Sequence, residues 1–327
     1  MRRLFLLFFF LLVVGAGAAV YLLTAPYRGF SKEVFVDIPS GTSTPGIARI
    51  LRDSGVIRWD WQFLLARIIG SKATLQAGEY RFSEPASVWT VYSRIAQGDI
   101  FFYELRVPEG SNQFDIAAAV EALGLMKAQE FLANASQPAL VKDLDPAAPS
   151  LEGYLFPATY RVTRHTTAQQ ICREMTDKFR RTWKEIGNPE AKVHSVVTLA
   201  SLIEKETAMA SERPAVASVF TNRLRIGMTL DCDPTTIYAA MLESRYKGKI
   251  HRSDLDSTNL YNTYKHAGLP PGPIANPGEA SLRAALAPAE TDYLYFVAKP
   301  GGGSHQFSSN ITDHNLAVQA YRRGQAK

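Results

Sequence analysis

The chain opens with a long apolar run and then changes to shorter, periodic patterns. Residues 4–23 read LFLLFFFLLVVGAGAAVYLL and contain no charged side chain. A run of about twenty apolar residues has the length of a helix that spans a bilayer. Beyond it, apolar positions recur with helical or strand spacing, which indicates a folded region with its own core.

A pattern of strand, turn and helix occurs twice in the first part of this folded region. IPSGTSTPGIARILRDSGVI (38–57) and VPEGSNQFDIAAAVEALGLM (107–126) align at a constant offset of 69 residues. In both copies a Pro-x-Gly turn follows an apolar run and precedes an amphipathic segment that ends at glycine, which predicts a strand, a turn and a helix. Between the copies, the spacing predicts a helix over 61–69, a strand over 77–82 and a helix over 87–98.

The second half of the chain mixes longer helices with loops and one hairpin. Apolar spacing predicts helices over 166–187 and 214–227, each closed by glycine. Between them, the tripeptide Asn-Pro-Glu at 188–190 is typical of a helix start and predicts a helix to about residue 208. Residues 292–309 predict a β-hairpin, and a last helix follows from Asp313. This mixture of helices and short strands predicts the α+β class.

Two carboxylates, Glu204 and Glu206, stand at the end of the helix that begins near 188–190. At 100° per residue, Glu206 falls between Leu199 and Leu202 on the apolar arc, and Glu204 lies about 160° away. A carboxyl between leucines is partly desolvated, which raises its pKa and keeps the proton that a general acid needs. This angle is too wide for the two carboxyl groups to flank one glycosidic bond, as the carboxyl pair of a standard glycosidase does. The alternative interpretation is a frayed helix end where both glutamates reach solvent or a buried arginine.

Charge and cysteine content narrow the possible chemistry. The net charge of +5 comes without a dense Lys/Arg block, so we expect no nucleic-acid partner. The histidines show no metal-ligand spacing, and neither GxxxxGK[ST] nor GxSxG occurs, so the sequence predicts no metal and no cofactor. Cys172 and Cys232 could pair in an oxidising compartment, but we favour two buried free thiols.

A loop rich in proline, glycine and tyrosine occupies residues 261–278, YNTYKHAGLPPGPIANPG. Its prolines exclude it from a helix interior or a central strand. Aromatic rings and amides suit sugar recognition, because the CH faces of sugars stack on rings and their hydroxyls bond to amides. A purely structural proline-rich loop fits the composition equally well.

Six ordered motifs together resemble the endolytic murein transglycosylase family. They are LEGYLFPATY, ASLIEKETA, SERPAVASVFTNRLRIGMTL, DPTTIY, YNTYKHAGLPPGPIANPG and YLYFVAKPGGGSHQFSSN, and they fall within residues 151–310. The strand-turn-helix repeat in addition resembles LysM modules, which bind glycans that contain N-acetylglucosamine. The alternative for the repeat is a common supersecondary unit without glycan binding.

The resemblance implies an N-terminal transmembrane helix, a LysM-like α+β subdomain and a mixed α+β catalytic domain. The expected division is a cytoplasmic tail at 1–3, an anchor at 4–23, a LysM-like subdomain at 31–100, a second strand-turn-helix unit with a connector at 101–150, and a catalytic domain at 151–327.

The resemblance also implies an activity and an acid. Members of the family cleave the β-1,4 bond between N-acetylmuramic acid and N-acetylglucosamine within glycan strands, without hydrolysis, and leave 1,6-anhydromuramoyl ends. Their catalytic acid is the second glutamate of an E-K-E-T motif, which is Glu206 here. The residues that we expect to hold the substrate or to orient this acid are Glu212, Asn222, Tyr261, Asn262 and Tyr264.

Two departures from the family pattern leave some roles open. Family members usually have Asp in place of Ala158, and Gln-Ser or Gln-Thr in place of Asp231-Cys232. Two other functions also stay open, an anchored peptidoglycan-binding scaffold without chemistry and a hydrolytic muramidase. The muramidase would add water to its product, whereas a lytic transglycosylase would not.

The N-terminal charges predict the orientation of the chain. Arg2 and Arg3 precede the apolar run, so the positive-inside rule places them in the cytoplasm and the folded region outside the inner membrane. Ala-Gly-Ala at 16–18 resembles a signal-peptidase site, but the apolar run continues to Leu23, so we favour an uncleaved single-pass anchor. The partners that the resemblance implies are peptidoglycan strands and peptidoglycan synthases.

Overall fold

The computed structural model describes residues 2–70, 73–187 and 192–325. The chain forms two compact units, Met1–Tyr103 and Glu104–Lys327. Helices and two-stranded sheets build the described residues, which confirms the predicted α+β class. The LysM-like character of the first unit and the finer division into domains stay predictions.

Helix α1 (Arg2–Thr24) is continuous through the apolar run. From Phe5 to Thr24 it has a mean hydropathy of 2.6 and is mostly exposed, so it is long and apolar enough to cross a membrane. Its last turn differs from this exposed part, because Leu23 is buried in the core of the first unit. The carbonyl of Leu22 accepts a hydrogen bond of 2.8 Å from Gln62 Nε2. The end of the apolar helix is therefore part of the folded unit.

The first unit folds around one small antiparallel sheet. Its elements are β1 (Val34–Ile38), α2 (Thr44–Asp53), α3 (Asp60–Ile69), β2 (Gly78–Phe82) and α4 (Val88–Gln97). The two strands pair antiparallel with Val36 opposite Tyr80, and both of these side chains are buried. The predicted helices over 61–69 and 87–98 and the predicted strand over 77–82 are confirmed.

Both copies of the repeat form the predicted strand, turn and helix. In the second copy these are β3 (Tyr103–Val107) and α5 (Gln113–Ala122). The turn glycine has a positive φ in each copy, +81° at Gly41 and +76° at Gly110, a conformation that favours glycine. A polar side chain then caps each helix by accepting a backbone N–H bond.

The second unit contains most of the helices. After α5 come α6 (Ala128–Ala135), a 3-10 helix (Pro138–Leu140), β4 (Ala158–Val162), α7 (Ala168–Ile186), α8 (Val193–Glu206), a 3-10 helix (Ala210–Glu212), α9 (Arg213–Arg225), α10 (Asp233–Leu242), α11 (Arg252–Leu255), α12 (Glu279–Leu286), β5 (Tyr295–Ala298), β6 (His305–Ser308) and α13 (Ile311–Gln325). Strand β3 pairs with β4, and β5 pairs antiparallel with β6. The predicted helices over 166–187 and 214–227 and the predicted hairpin are confirmed.

Helix α8 packs against α9, α10 and α12 in the second unit. The predicted start at 188–190 lies outside the described residues, and the described helix begins at Val193. Ser201 is fully buried, and its hydroxyl accepts a 3.1 Å bond from the backbone N–H of Ile274. The helix ends at Glu206 because Thr207 is extended. Both carboxylates of the sequence motif therefore lie in its last turn.

Candidate active site

A cavity of about 420 Å³ opens at the C-terminal end of α8. Helices α8, α9, α10 and α13, the hairpin and two loops contribute to its walls. The lining residues are Glu206, Phe220, Arg223, Leu230, Asp231, Asp233, Tyr264, Tyr295, Phe296, Ile311 and His314. The cavity thus combines one glutamate with aromatic walls and charged groups of both signs.

Glu206 lies in direct contact with Cys232. The thiol donates a hydrogen bond to Glu206 Oε1 at an Sγ–O distance of 3.0 Å. Burial and the neighbouring carboxyl raise the pKa of Cys232 well above its usual range, so the thiol is a neutral donor. Cys172 and Cys232 are both buried and free, as predicted. The sequence marked Cys232 as a buried thiol and as a departure from the family pattern, but not as a neighbour of Glu206.

The surroundings of Glu206 raise its pKa. Burial is the largest cause, and it is the effect predicted from the apolar arc of the helix. The hydrogen bond from Cys232 opposes this rise, and the charge of Asp233 adds to it. Electrostatic interactions with His305 and Arg223 oppose it. Because burial prevails, Glu206 keeps its proton to a higher pH than an exposed glutamate does.

Two threonines fix the backbone that carries Cys232. Its N–H donates to Thr263 Oγ1 at 3.0 Å, and its carbonyl accepts from Thr235 Oγ1 at 2.7 Å. The two threonine hydroxyls are 2.9 Å apart. Asp231, just before, has a φ of +50°, in the left-handed region that residues other than glycine rarely adopt. This bend and the threonine anchors direct the thiol toward Glu206.

Glu204 has a different environment from Glu206. Its Oε1 accepts a 2.9 Å bond from Arg213 Nη2, and its Oε2 accepts a 2.9 Å bond from the N–H of Gly278. The two side chains of this ion pair are only 5% and 7% exposed. At Glu204 the structure therefore shows the buried-arginine alternative, whereas Glu206 faces the cavity.

Glu212 ties the segment after α8 to the hairpin. It accepts bonds from the backbone N–H of His305 at 2.8 Å and pairs with His305 Nδ1 at 2.7 Å. The hydroxyl of Thr207 also donates to it at 3.3 Å. Burial disfavours the charge of Glu212, but the bonds from His305 outweigh burial and lower its pKa. His305 in turn packs edge-on against Phe296, a wall of the cavity.

Asn222 and Arg223 connect α9 to the chain that leads into β5. Asn222 Nδ2 donates to the carbonyls of Thr291 at 2.8 Å and Tyr293 at 3.0 Å. Arg223 Nε donates to the carbonyl of Leu294 at 2.7 Å. Arg223 lines the cavity, whereas the amide nitrogen of Asn222 bonds to backbone carbonyls.

Three predicted residues lie in the 261–278 loop. Tyr264 reaches the cavity, where its hydroxyl donates to Asp233 Oδ1 at 2.7 Å. Asn262 is fully buried and donates to the carbonyl of Ser257 at 2.7 Å. Tyr261 packs on Tyr238 with ring centroids 5.2 Å apart, and burial raises the pKa of Tyr261 to about 12. Tyr264 is thus brought to the Glu206 cavity, and the other two lie in the scaffold of the loop.

Several lining residues were missed by sequence reasoning. Arg223 had a usable signal, because it is a charged residue beside Asn222 within the helix predicted over 214–227. Asp233 stands beside the departure at Asp231-Cys232 and could have been singled out with it. His314 had no local signal in the sequence. It reaches the cavity because α13, which follows Glu206 by about a hundred residues in the chain, packs there. Burial lowers the pKa of His314.

A second cavity, of about 510 Å³, lies between the hairpin and α13. Its charged lining residues are Lys299 and the exposed Asp313, and none of the predicted site residues reaches it. Neither of them is a desolvated carboxyl, so the cavity of Glu206 is the stronger candidate for acid–base chemistry. Within the described ranges, no group of three or more His, Cys, Asp or Glu side chains is arranged to hold a metal.

A desolvated carboxyl, a neutral donor bonded to it and aromatic walls define a candidate acid–base site on an α+β scaffold. The sequence profile of the YceG-like family matches residues 36–320 of the chain. Because this match spans most of the chain, the protein belongs to the YceG-like family.

Relatives with known names and one solved structure agree with this assignment. The endolytic murein transglycosylase of Bacillus subtilis strain 168 is 34% identical over 95% of this chain and 91% of its own length. The protein of the same name from Streptococcus pneumoniae strain D39 is 28% identical over 88% of this chain and 58% of its own. The crystal structure of a yceG-like protein from Listeria monocytogenes has a TM-score of 0.57 at 34% identity, covering 87% of this chain and 99% of that one.

Proposed function

We propose that the protein is an endolytic lytic transglycosylase of peptidoglycan. It cuts the β-1,4 bond between N-acetylmuramic acid and N-acetylglucosamine in nascent strands, leaves 1,6-anhydro ends and so limits strand length. The observation that carries the proposal is the place of Glu206 on the wall of an open cavity with a thiol hydrogen-bonded to it, in surroundings that raise its pKa. The names of the relatives from Bacillus subtilis and Streptococcus pneumoniae support it.

In the first step Glu206 acts as the general acid. It donates its proton to the glycosidic oxygen while the bond from that oxygen to C1 of the muramic acid breaks. Its raised pKa keeps the proton on the carboxyl to a higher pH than an exposed glutamate would allow. The positive charge that develops at C1 is shared with the ring oxygen or taken up by the N-acetyl group. No carboxylate nucleophile is required, which agrees with the engagement of Glu204 in its ion pair.

In the second step Glu206 acts as the base. Its carboxylate takes the proton of the muramic C6 hydroxyl, and the C6 oxygen attacks C1 to close the anhydro ring. Between the steps the thiol of Cys232 donates a hydrogen bond to the anion. Water would compete by hydrolysis. The apolar walls formed by Phe220, Phe296 and Ile311 are suited to reduce its access.

The other predicted site residues are proposed either to contact the sugar or to hold the elements around the cavity in place. Tyr264 is the one whose ring lines the cavity, so we propose that it contacts the sugar. Glu212, Asn222, Tyr261 and Asn262 hold the elements that surround the cavity, and we propose that they support the site through those elements.

The test is the chemistry of the product ends. Full-length protein in detergent is incubated with peptidoglycan, and the fragments are analysed by mass spectrometry beside Glu206→Gln. Glu204→Gln is the matched control, because its amide keeps an acceptor for Arg213 or Gly278. We expect abundant anhydro ends from the parent and the control and at least about 10²-fold fewer from Glu206→Gln, with a cooperative unfolding transition in all three.

Other products would select another function. Fragments with added water would identify a muramidase. Glycan binding without cleavage by folded parent protein would identify a scaffold. Anhydro ends formed by Glu206→Gln at the parental rate would remove Glu206 from its proposed role and direct attention to Glu204.

The location and partners are part of the proposal. Helix α1 is proposed to anchor the chain in the inner membrane with Arg2 and Arg3 in the cytoplasm and the acid–base site outside. Peptidoglycan synthases are the proposed protein partners, because they produce nascent strands at the same membrane face. Co-purification of tagged full-length protein from cross-linked membranes, compared with a chain whose anchor is replaced, tests this.

A further inference from the structure

Three of the chain's four tryptophans lie where α1 meets α3 and α4. Trp59 and Trp61 stand at the start of α3, and Trp89 stands at the start of α4. They are 42%, 46% and 39% exposed, which is unusual for the largest apolar side chain. The rings of Trp59 and Trp61 stack with centroids 6.1 Å apart. We call Trp59, Trp61 and Trp89 the tryptophan rim.

The rim is fixed relative to the end of α1. Helix α1 packs against both α3 and α4, and Gln62 bonds to the carbonyl of Leu22. A small cavity of about 120 Å³ is lined by Leu22 and Ala25 together with Trp59 and Val88, so it joins these three helix ends. The apolar span ends at Thr24. The starts of α3 and α4 therefore adjoin the point at which the apolar span ends.

The chemistry of this surface matches the headgroup layer of a bilayer. Tryptophan is enriched at that level, because its ring is apolar and its N–H can still reach a polar partner. The guanidinium of Arg58 lies 5.3 Å from the centroid of the Trp59 ring and 5.0 Å from that of Tyr27, where it would face lipid phosphates. The apolar surface continues along α3 to Ile68 and Ile69, which are 79% and 58% exposed.

We propose that the tryptophan rim lies in the interfacial layer of the bilayer that α1 crosses, so that the first unit rests on the membrane. This inference rests on the proposed anchoring of α1. The occupant of the rim is lipid, because the rim adjoins the end of a membrane-length apolar helix and carries a cation beside its rings. The inference assigns a role to α3 and α4 that does not involve glycan.

The test uses the tryptophans themselves as probes. Full-length protein is reconstituted into vesicles of phosphatidylcholine and phosphatidylglycerol whose acyl chains carry bromine near the headgroup, a quencher of tryptophan fluorescence. Trp183→Phe leaves only the rim tryptophans, whereas the triple change Trp59→Phe, Trp61→Phe and Trp89→Phe leaves only Trp183, which is buried in α7. We expect strong quenching by brominated lipid for Trp183→Phe and none for the triple variant.

Flotation of the vesicles separates the proposal for the tryptophan rim from the proposal that α1 is a membrane anchor. Protein that floats with the vesicles, is not quenched by brominated lipid and is quenched by aqueous iodide overturns the rim proposal and leaves the anchor intact. Rim fluorescence that is shielded from iodide only when peptidoglycan fragments are added overturns it in favour of a glycan surface. Protein that does not float overturns the anchor and the rim together, while the product assay for Glu206 is unaffected.

Discussion

The last turn of α8 carries two glutamates with opposite surroundings. On one side Glu204 is enclosed by Arg213 and the N–H of Gly278, which hold it as a charged partner in a buried ion pair. On the other side Glu206 faces the cavity with a thiol on one oxygen. Between them, Lys205 Nζ donates to the carbonyl of Gly110 at 3.1 Å. The two residues are of the same type, so the difference between them comes from their contacts. These contacts make Glu204 part of the scaffold and leave Glu206 available for chemistry.

The largest effect is expected from Glu206→Gln. The amide cannot give or take the proton, so we expect the rate of anhydro-product formation to fall by about 10²–10⁴-fold. The melting temperature should stay at or above that of the parent, because a neutral amide avoids the burial penalty on the carboxylate. Initial rates and calorimetry on the same preparations check this. A fall in rate that parallels a fall in melting temperature would contradict it.

Glu204→Ala should break the other side of the comparison. It leaves the guanidinium of Arg213 buried without its closest partner, so we expect a loss of about 3–5 kcal/mol in the free energy of unfolding. Activity per folded molecule should fall far less than in Glu206→Gln. Glu279→Ala is the matched control, since its pair with Arg283 is half exposed and worth about 0.5 kcal/mol. Equal losses of stability in the two variants would contradict the prediction.

A third carboxyl, Glu152, sharpens the comparison because it is buried away from the cavity. Burial raises its pKa from 4.5 to about 8 although it accepts bonds from Gln113 and Asn276. A folded-state pKa above the unfolded value means that stability falls as pH rises from about 4.5 to about 8. Glu152→Gln should remove a few kcal/mol of this dependence, at about 1.4 kcal/mol per pKa unit. Melting temperatures across that pH range test it, and an unchanged slope would refute it.

The smallest effect concerns the tuning of Glu206 by Cys232. A hydroxyl is a stronger donor to a carboxylate than a thiol, so Cys232→Ser should lower the pKa of Glu206 and move the alkaline limb of the rate profile to lower pH. Cys232→Ala removes the donor and should move that limb to higher pH. Asp233, His305, Arg223 and His314 are unchanged in both variants. Shifts in the same direction would show that packing, rather than the hydrogen bond, is responsible.

The sequence predicted elements better than it predicted contacts. Helices and strands followed from local periodicity and from turn residues such as Gly41 and Gly110. The positive φ of these glycines belongs to the turn in which each lies. The apolar arc of α8 predicted the desolvation of Glu206 for the same reason. These properties are set within a few residues, so one sequence is sufficient to predict them.

Contacts across the fold were harder to predict. The ion pair of Glu204 joins residues nine apart, but its backbone donor, Gly278, comes from a loop 74 residues away. Asn222 and Asn262 look like sugar-binding amides in the sequence, yet their nitrogens bond to backbone carbonyls. The contact of Cys232 with Glu206 depends on the bend at Asp231 and on threonines from two elements. Such pairings are decided by tertiary packing, which local patterns do not encode.

The burial of Leu23 sets how far the protein can reach. Because the end of α1 is part of the core of the first unit, the proposed anchor and this unit have little freedom to separate. A tethered enzyme meets its substrate only within the range of its tether, at an effective concentration fixed by that range. The proposed transglycosylase would therefore cut glycan only within its own dimensions of the membrane.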